Sequence, residues 1–303
     1  MPAAPSRETV RRRWARLGFA REVEVDGLRL HYVEAGTGPA VFLLHGMGDC
    51  AIGWRGQLEP LAEAGFRAIA WDMPGAGLSV KPLDRAYSIA AVAEVFEEFR
   101  ARLGIERGAL VGSSYGGGVA LLHARLQPER VPGLVVIDPA CYSDGVGAYT
   151  RLFKNPWFNR LVYPLVPART LVRIGLRQCV PDLSVLGPGI LEEYAAEARR
   201  PGAKSAFARF EQDVVPDDPA PFEAGHREIR VPTLVLWGRR DRVLPLDHGE
   251  RLAREIPGAR LLVLEAEHIP HVERPEETNR AILAFLREHR APAGGAASGA
   301  RRS

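Results

Sequence analysis

Near its start the chain alternates apolar and polar residues, over positions 22–34. The dipeptide Asp26-Gly27 interrupts the alternation and suits a tight two-residue turn. The apolar members are Val23, Val25, Leu28, Leu30 and Tyr32. This pattern predicts an antiparallel β-hairpin.

Short apolar runs without alternation follow, which are typical of strands buried on both faces. They occupy residues 40–44, 67–71, 109–111, 133–137, 233–237 and 260–264. Helical patterns lie between them, most clearly over residues 88–103, where Gly104 supplies the stop. The apolar stripe of that helix is Ile89, Val92, Phe96, Phe99 and Leu103. The order of elements predicts an α/β fold with a mostly parallel central sheet flanked by helices.

The alternation of strand and helix fails over residues 139–226, where prolines interrupt short aromatic and aliphatic pieces. We interpret this stretch as a helical cap insertion over the carboxyl ends of the parallel strands, where open α/β sheets bind ligands. The core then comprises residues 21–138 and 227–290. Residues 1–20 form an amphipathic or flexible segment, and residues 291–303, rich in Ala, Gly and Ser, a disordered tail.

The composition indicates a globular protein rather than a nucleic-acid or membrane protein. Hydrophobic residues make up 46% of the 303 positions, and a formal charge of +3 is spread along the chain. The basic cluster Arg11-Arg12-Arg13 could lie on the protein or on a membrane, but no apolar run approaches the roughly 20 residues that span a bilayer. Three cysteines without metal-ligand spacing favour reduced thiols, so we expect a cytoplasmic protein without stable membrane insertion. The oligomeric state stays open.

The clearest chemical motif is Gly112-Ser113-Ser114-Tyr115-Gly116, a G-x-S-x-G sequence between a predicted buried strand and a predicted helix. At such a turn the serine holds a strained backbone position, and the flanking glycines let neighbouring chain approach. The register selects Ser114 as nucleophile, because Ser113 would need a glycine at Val111.

A serine hydroxyl needs an imidazole to take its proton and a carboxylate to orient that imidazole. The run at 233–237 leads to Asp241, and the run at 260–264 leads to His268 and His271. Asp138 also follows a buried run and is an alternative acid. The histidines and neighbouring glutamates lack a partner motif for a metal, so we predict neither metal nor cofactor.

Four segments in order resemble the α/β-hydrolase family: His45-Gly46-Met47-Gly48, the loop at residues 72–79, the G-x-S-x-G turn and the acid loop. The resemblance implies an oxyanion hole formed by the backbone N–H groups of Met47 and Tyr115. The family pattern G-H-x-P-x-x-E-x-P aligns on residues 267–275, which makes His268 the base and His271 its neighbour. Glu267 replaces the usual glycine, and we expect its side chain to face solvent.

The remaining motif residues have structural interpretations. We expect Asp72 and Ser79 to shape their loop and His45 to brace the oxyanion loop. Aromatic residues of the predicted cap are expected to be core more often than cavity lining. They are Trp157, Phe158, Tyr163, Tyr194, Phe207 and Phe210.

Together these features predict a serine hydrolase that cleaves small to medium carboxylic esters through an acyl-enzyme on Ser114. Serine at the elbow disfavours the branches of the family that use an aspartate nucleophile. Carbon–carbon bond hydrolases, perhydrolases and lactonases share the triad and stay open as alternatives, as does a slow-turnover ligand receptor.

Overall fold

The computed structural model describes residues 20–144, 153, 155, 157–214 and 218–289. An eight-stranded sheet runs through it, with strand order β1-β2-β4-β3-β5-β6-β7-β8. The strands are β1 (Ala20–Val25), β2 (Leu28–Ala35), β3 (Ala40–Leu44), β4 (Arg67–Trp71), β5 (Gly108–Ser113), β6 (Leu134–Ile137), β7 (Thr233–Gly238) and β8 (Arg260–Leu264). The strands from β4 to β8 in the sheet order are parallel, which confirms the predicted fold class.

The predicted hairpin is the antiparallel pair β1–β2, which joins the parallel strands through an antiparallel contact of β2 with β4. At its turn Asp26 and Gly27 have φ of 48° and 73°. Two successive positive φ angles define the turn type that matches the twist of paired strands, and Asp-Gly is a favoured sequence for it.

Helices flank the sheet and connect its parallel strands. They are α1 (Arg55–Glu63), α2 (Ile89–Arg102), α3 (Tyr115–Leu126), α4 (Ala168–Cys179), α5 (Ile190–Ala198), α6 (Ala203–Asp213), α7 (Ala220–Ala224), α8 (Leu246–Glu255), α9 (Pro270–Glu273) and α10 (Pro275–Glu288). Short 3-10 turns lie at Ala51–Trp54, Pro128–Arg130, Tyr163–Leu165, Leu183–Leu186 and Gly225–Glu228, and a π-helical turn at Phe158–Val162. No helix among the described residues is long and apolar enough to cross a bilayer.

The core occupies both faces of the sheet. Phe42 and Leu44 of β3 pack into one cluster, whereas Val41 and Leu43 pack into another. Alternate residues of a strand point to opposite faces, so β3 is buried on both, as its unbroken apolar run predicted.

Strand β8 departs from that prediction. Its exposure alternates, and Leu262 is 38% exposed. Because β8 is the last strand of the sheet and pairs only with β7, less of its surface is covered than in the central strands.

The chain between β6 and β7, residues 138–232, carries α4 to α7 and is called the β6–β7 segment below. Its helical content agrees with the expectation for a cap, whose domain boundaries stay a prediction. The predicted tail at 291–303 and nearly all of the segment 1–20 lie outside the described residues.

Candidate active site

Ser114 lies at the sharp turn between β5 and α3, with φ 50° and ψ −118°. This backbone conformation is strained for a residue other than glycine, and such strained residues often occur at functional sites. The flanking glycines allow the turn to close: a Cβ on Gly112 would collide with the carbonyl oxygen of Gly116, and one on Gly116 with those of Leu44 and His45.

His268 and Asp241 lie beside Ser114 in one chain of hydrogen bonds. The Ser114 hydroxyl lies 3.0 Å from His268 Nε2, and His268 Nδ1 lies 2.7 Å from Asp241 Oδ2. The His268 and Asp241 side chains are 4% and 0% exposed. With its proton on Nδ1, His268 donates to the carboxylate and presents Nε2 to accept the serine proton. The structure thus brings together the three residues that the sequence analysis selected.

The loop after β7 holds the Asp241 carboxylate in place. Its Oδ1 accepts hydrogen bonds from the backbone N–H groups of Val243 at 2.7 Å and Leu244 at 3.0 Å. Its Oδ2 is therefore left to face His268.

The backbone on both sides of His268 is anchored by Glu273, a residue to which the sequence analysis gave no role. Its carboxylate accepts from the N–H of Glu267 at 3.0 and 3.1 Å and from that of Ile269 at 3.2 Å. The His268 N–H donates to the Cys179 carbonyl of α4 at 3.1 Å. The glutamate of the family pattern was visible in the sequence, but its contacts depend on how α9 folds back toward the loop.

Glu267 corrects an expectation, because its side chain is only 13% exposed rather than facing solvent. One oxygen lies 3.1 Å from Arg240 and the other 3.7 Å from Arg242. The two guanidinium groups draw this carboxylate against the protein surface.

His271 occupies a separate buried position. Its ring stacks on Trp54 with centroids 4.5 Å apart, and its nitrogen atoms have no hydrogen-bond partner among the described residues. Burial, and then the charge of His268, lower the pKa of His271 to about 3. That the His271 ring is neutral and stacked on Trp54 agrees with the choice of His268, rather than His271, as the base.

The oxyanion loop is braced against its neighbour by His45, as expected. Nδ1 of His45 donates to the Gly46 carbonyl at 2.8 Å, and Nε2 accepts from the Met73 N–H at 3.0 Å. A Cβ built on Gly46 would lie 3.3 Å from Ser114 Cβ. The backbone at Gly46 therefore runs close beside Ser114, which places the loop that carries Met47 against the nucleophile. Tyr115 follows Ser114 directly at the start of α3.

Asp72 shapes the loop of residues 72–79, also as expected. Its carboxylate accepts from the N–H groups of Ala51 and Leu78 and contacts His31 Nδ1, while Ser79 donates to its backbone carbonyl. Burial alone would raise the pKa of Asp72, but the His31 ring and these N–H groups lower it below its usual value.

Asp138, the alternative acid, is completely buried at the end of β6. Its Oδ1 accepts from the Gly238 N–H at 2.8 Å. Asp138, Asp241 and His268 form the one group of potential metal ligands found among the described residues, with ligand atoms within 4.8 Å. Since His268 and Asp241 already bind each other, their hydrogen bond accounts for this group without an ion.

A cavity of about 600 Å³ opens beside Ser114 and His268. The oxyanion loop forms one wall and helices α4, α5 and α6 form another, with apolar side chains from Leu171, Leu176 and Val172. Of the six aromatic residues expected mostly in the core, Tyr163, Tyr194, Phe207 and Phe210 line the cavity, whereas Trp157 is exposed.

The charged groups along the cavity are mostly engaged by the protein itself. Lys81 Nζ donates to three backbone carbonyls at 2.8 to 3.5 Å, and Lys204 Nζ to two at 2.6 and 2.9 Å. Asp49 accepts from the Tyr194 hydroxyl at 2.6 Å, and burial raises its pKa. The two arginines that line the cavity, Arg177 and Arg242, are exposed.

Comparisons with known proteins agree with this architecture. The sequence profile of the alpha/beta hydrolase fold matches residues 39–275. The chain is 32% identical over 284 residues to 2-hydroxy-6-oxo-6-phenylhexa-2,4-dienoate hydrolase of Comamonas testosteroni, which is 88% of this chain and 94% of that protein. It is 34% identical to 2-hydroxymuconate semialdehyde hydrolase of Pseudomonas putida, over 89% of this chain and 95% of that one. A crystal structure of a membrane phospholipase A, described as a bacterial virulence factor, superposes with a TM-score of 0.75 at 32% identity, covering 93% of this chain and 90% of that chain.

Proposed function

Because the chain belongs to the α/β-hydrolase fold family, we propose that it is a serine hydrolase in which Ser114 attacks a carbonyl carbon. The observation that carries this proposal is the continuous hydrogen-bond chain from Ser114 through His268 to Asp241 at the wall of a cavity. It supplies a nucleophile, a base and an orienting acid in the arrangement that acyl transfer requires.

Each group has a defined task in the proposed reaction. As Ser114 Oγ bonds to the carbonyl carbon, its proton passes to His268 Nε2, and Asp241 stabilises the resulting imidazolium. The N–H groups of Met47 and Tyr115 would receive the negative charge on the carbonyl oxygen. His268 then gives the proton to the leaving group, and water attacks the acyl-enzyme by the same route in reverse.

The first candidate substrate contains a carbon–carbon bond beside a ketone, the alternative rather than the main expectation of the sequence analysis. 2-Hydroxy-6-oxo-6-phenylhexa-2,4-dienoate carries a ketone and a carboxylate but no ester, so its hydrolysis must break a carbon–carbon bond. Identities of 32% and 34% over nearly nine-tenths of the chain support this class. In this case His268 would protonate a leaving carbon.

A carboxylic ester is the second candidate, and the hydrogen bonds of the two cavity lysines favour it. A dienoate brings a carboxylate, yet Lys81 and Lys204 already donate to backbone carbonyls. A neutral ester needs no buried cation. The 32% identity to a membrane phospholipase A supports the same chemistry.

The test compares turnover of 2-hydroxy-6-oxo-6-phenylhexa-2,4-dienoate with that of p-nitrophenyl esters of increasing acyl length. Ser114→Ala should lower kcat by about 10⁴-fold or more on whichever class is cleaved. Ser113→Ala is the matched control, because Ser113 is the adjacent buried serine, and it should keep turnover within about tenfold. Equal losses in both variants would contradict the assignment of the nucleophile.

Release of benzoate without ester cleavage would select the carbon–carbon class, and the reverse result the ester class. If neither substrate is cleaved while a fluorophosphonate still labels Ser114, both substrate proposals fail and slow turnover of a bound ligand becomes the better explanation.

A further inference from the structure

Asp138 has a positive φ, which is uncommon for a residue other than glycine. Among the described residues, three non-glycine residues have positive φ: Asp26 in the hairpin turn, Ser114 at 50° and Asp138 at 44°. Ser114 and Asp138 lie at the ends of the paired strands β5 and β6. Strain of this kind persists where the surroundings enforce it, often at functional sites.

The two oxygens of the Asp138 side chain have different surroundings. Oδ1 accepts from the Gly238 N–H at 2.8 Å, whereas Oδ2 is buried and has no donor among the described residues. The side chain also approaches Asp241 and His268. One carboxylate oxygen of each aspartate and one ring nitrogen of His268 all lie within 4.8 Å of one another. A buried carboxylate oxygen without a donor is costly, and a proton on it would turn the oxygen into a donor.

Electrostatics favours that proton. Two buried carboxylates at this separation do not both ionise readily. Burial raises the pKa of Asp138 well above its usual value, and the charge of Asp241 and, less strongly, that of Glu273 raise it further. The Gly238 N–H acts in the opposite direction but does not cancel these effects.

We propose that Asp138 is a positioning residue of the proposed catalytic site, in which its protonated carboxyl group donates a hydrogen bond from Oδ2 to the Asp241 carboxylate. The pair then carries one negative charge facing His268. It follows that Asp138 becomes the carboxylate beside His268 when Asp241 is removed. This inference rests on the proposed function, because Asp138 acts through Asp241 and His268.

A purely structural Asp138 would behave differently. If it served only to join the ends of β6 and β7 through Gly238, removing it would have the same effect whether or not Asp241 was present. A shared charge instead makes the two aspartates interdependent, which a double-mutant cycle measures.

The test uses the full chain and the rate at which a fluorophosphonate labels Ser114, which needs an activated serine but no known substrate. Native protein, Asp138→Asn, Asp241→Ala and the double variant are compared, with thermal melts to show that each is folded. Asp241→Ala should label at least about tenfold faster than the double variant, the order expected for one hydrogen bond to a charged group. The loss should be larger in the Asp241→Ala background than in native protein, and an equal fold-loss from Asp138→Asn in both backgrounds, including no loss in either, would overturn the proposal.

Infrared spectroscopy with ¹³C-labelled aspartate gives a second readout, in which the band is sought in native protein and assigned with two variants. We expect the carbonyl band of a protonated aspartate at neutral pH, lost in Asp138→Asn and kept in Asp49→Asn, since Asp49 is another aspartate whose pKa burial raises. Absence of such a band in native protein, or its loss only in Asp49→Asn, would overturn the proposal. A native protein that does not label with fluorophosphonate at all would instead contradict the serine hydrolase assignment.

Discussion

Glu273 holds the backbone on both sides of His268, although it does not line the cavity. Its carboxylate accepts from the backbone N–H groups of Glu267 and Ile269, the residues on either side of the histidine. Fixing both neighbours orients the imidazole between Ser114 and Asp241. Small displacements of a base from its hydrogen-bonded position cost large factors in rate.

Glu273→Gln should therefore lower the rate of Ser114 labelling by about tenfold, because a neutral amide oxygen replaces the charged carboxylate oxygen that accepts from both N–H groups, and these hydrogen bonds weaken. The measurement is the second-order rate constant with a fluorophosphonate. Glu265→Gln is the control, because Glu265 is an exposed glutamate nearby that pairs with Arg239 and Arg240. Equal rates in the two variants would contradict the anchoring role of Glu273.

Residue types and their places after apolar runs were enough to propose Ser114 as nucleophile and to narrow the acid to Asp241 or Asp138 and the base to His268 or His271. The choice of His268 rested on the resemblance to the α/β-hydrolase family. The role of Glu273 could not be predicted in the same way. It depends on the helix that begins at Pro270 and returns the carboxylate to the backbone at 267 and 269.

At the scale of elements, strand and helix limits could be predicted where the hydrophobic pattern or a capping residue marked them. Strands β3, β4 and β8 have the predicted limits, and the helix predicted over residues 88–103 forms as Ile89–Arg102 with Ser88 at its N-cap. Exposure of β8 was missed, because an apolar run does not tell whether a strand lies at the edge of a sheet. Proline-broken helices in the β6–β7 segment gave no period from which the aromatic lining could be deduced.

The elbow between β5 and α3 leaves no room for a side chain at Gly116. Gly116→Ala would place a Cβ against the carbonyl oxygens of Leu44 and His45, so we expect a loss of about 1–3 kcal/mol in the free energy of unfolding. Denaturant titration followed by circular dichroism measures it.

Gly175→Ala in α4 is the matched control, because a Cβ there meets nothing within 4 Å. Alanine in a helix interior stabilises by up to about 1 kcal/mol relative to glycine. The elbow argument fails if both variants change stability in the same direction and by the same amount.

At the scale of the whole molecule, the site combines residues that are far apart in the chain. They meet at the carboxyl ends of the parallel strands. Ser114, Asp241 and His268 follow β5, β7 and β8, whose parallel pairing through β6 aligns their carboxyl ends. The same compact interior also encloses histidines that take no part in the proposed chemistry. His123 and His226 are 3% and 1% exposed.

Burial makes the stability of the fold depend on pH. Burial lowers the pKa of both His123 and His226 from 6.5 to about 4, despite the opposing effect of nearby glutamates. Since the folded-state pKa lies below the unfolded value, the unfolded state binds more protons between these limits. As the pH falls from about 6.5 toward 4, each of these histidines should therefore lower the free energy of unfolding of the protein by roughly 3 kcal/mol.

This dependence can be assigned to one residue by comparing native protein with His123→Gln in urea titrations at pH 7 and pH 4. The His123 ring packs edge-on against Phe96 at 4.8 Å, so the variant should be less stable at pH 7, where the neutral ring fits its site. At pH 4 the native protein has lost the contribution of the neutral ring and the variant has not, so the difference should shrink by roughly 3 kcal/mol. A difference that stays constant with pH would show that His123 keeps its proton affinity on folding, because the nearby glutamates then offset the effect of burial.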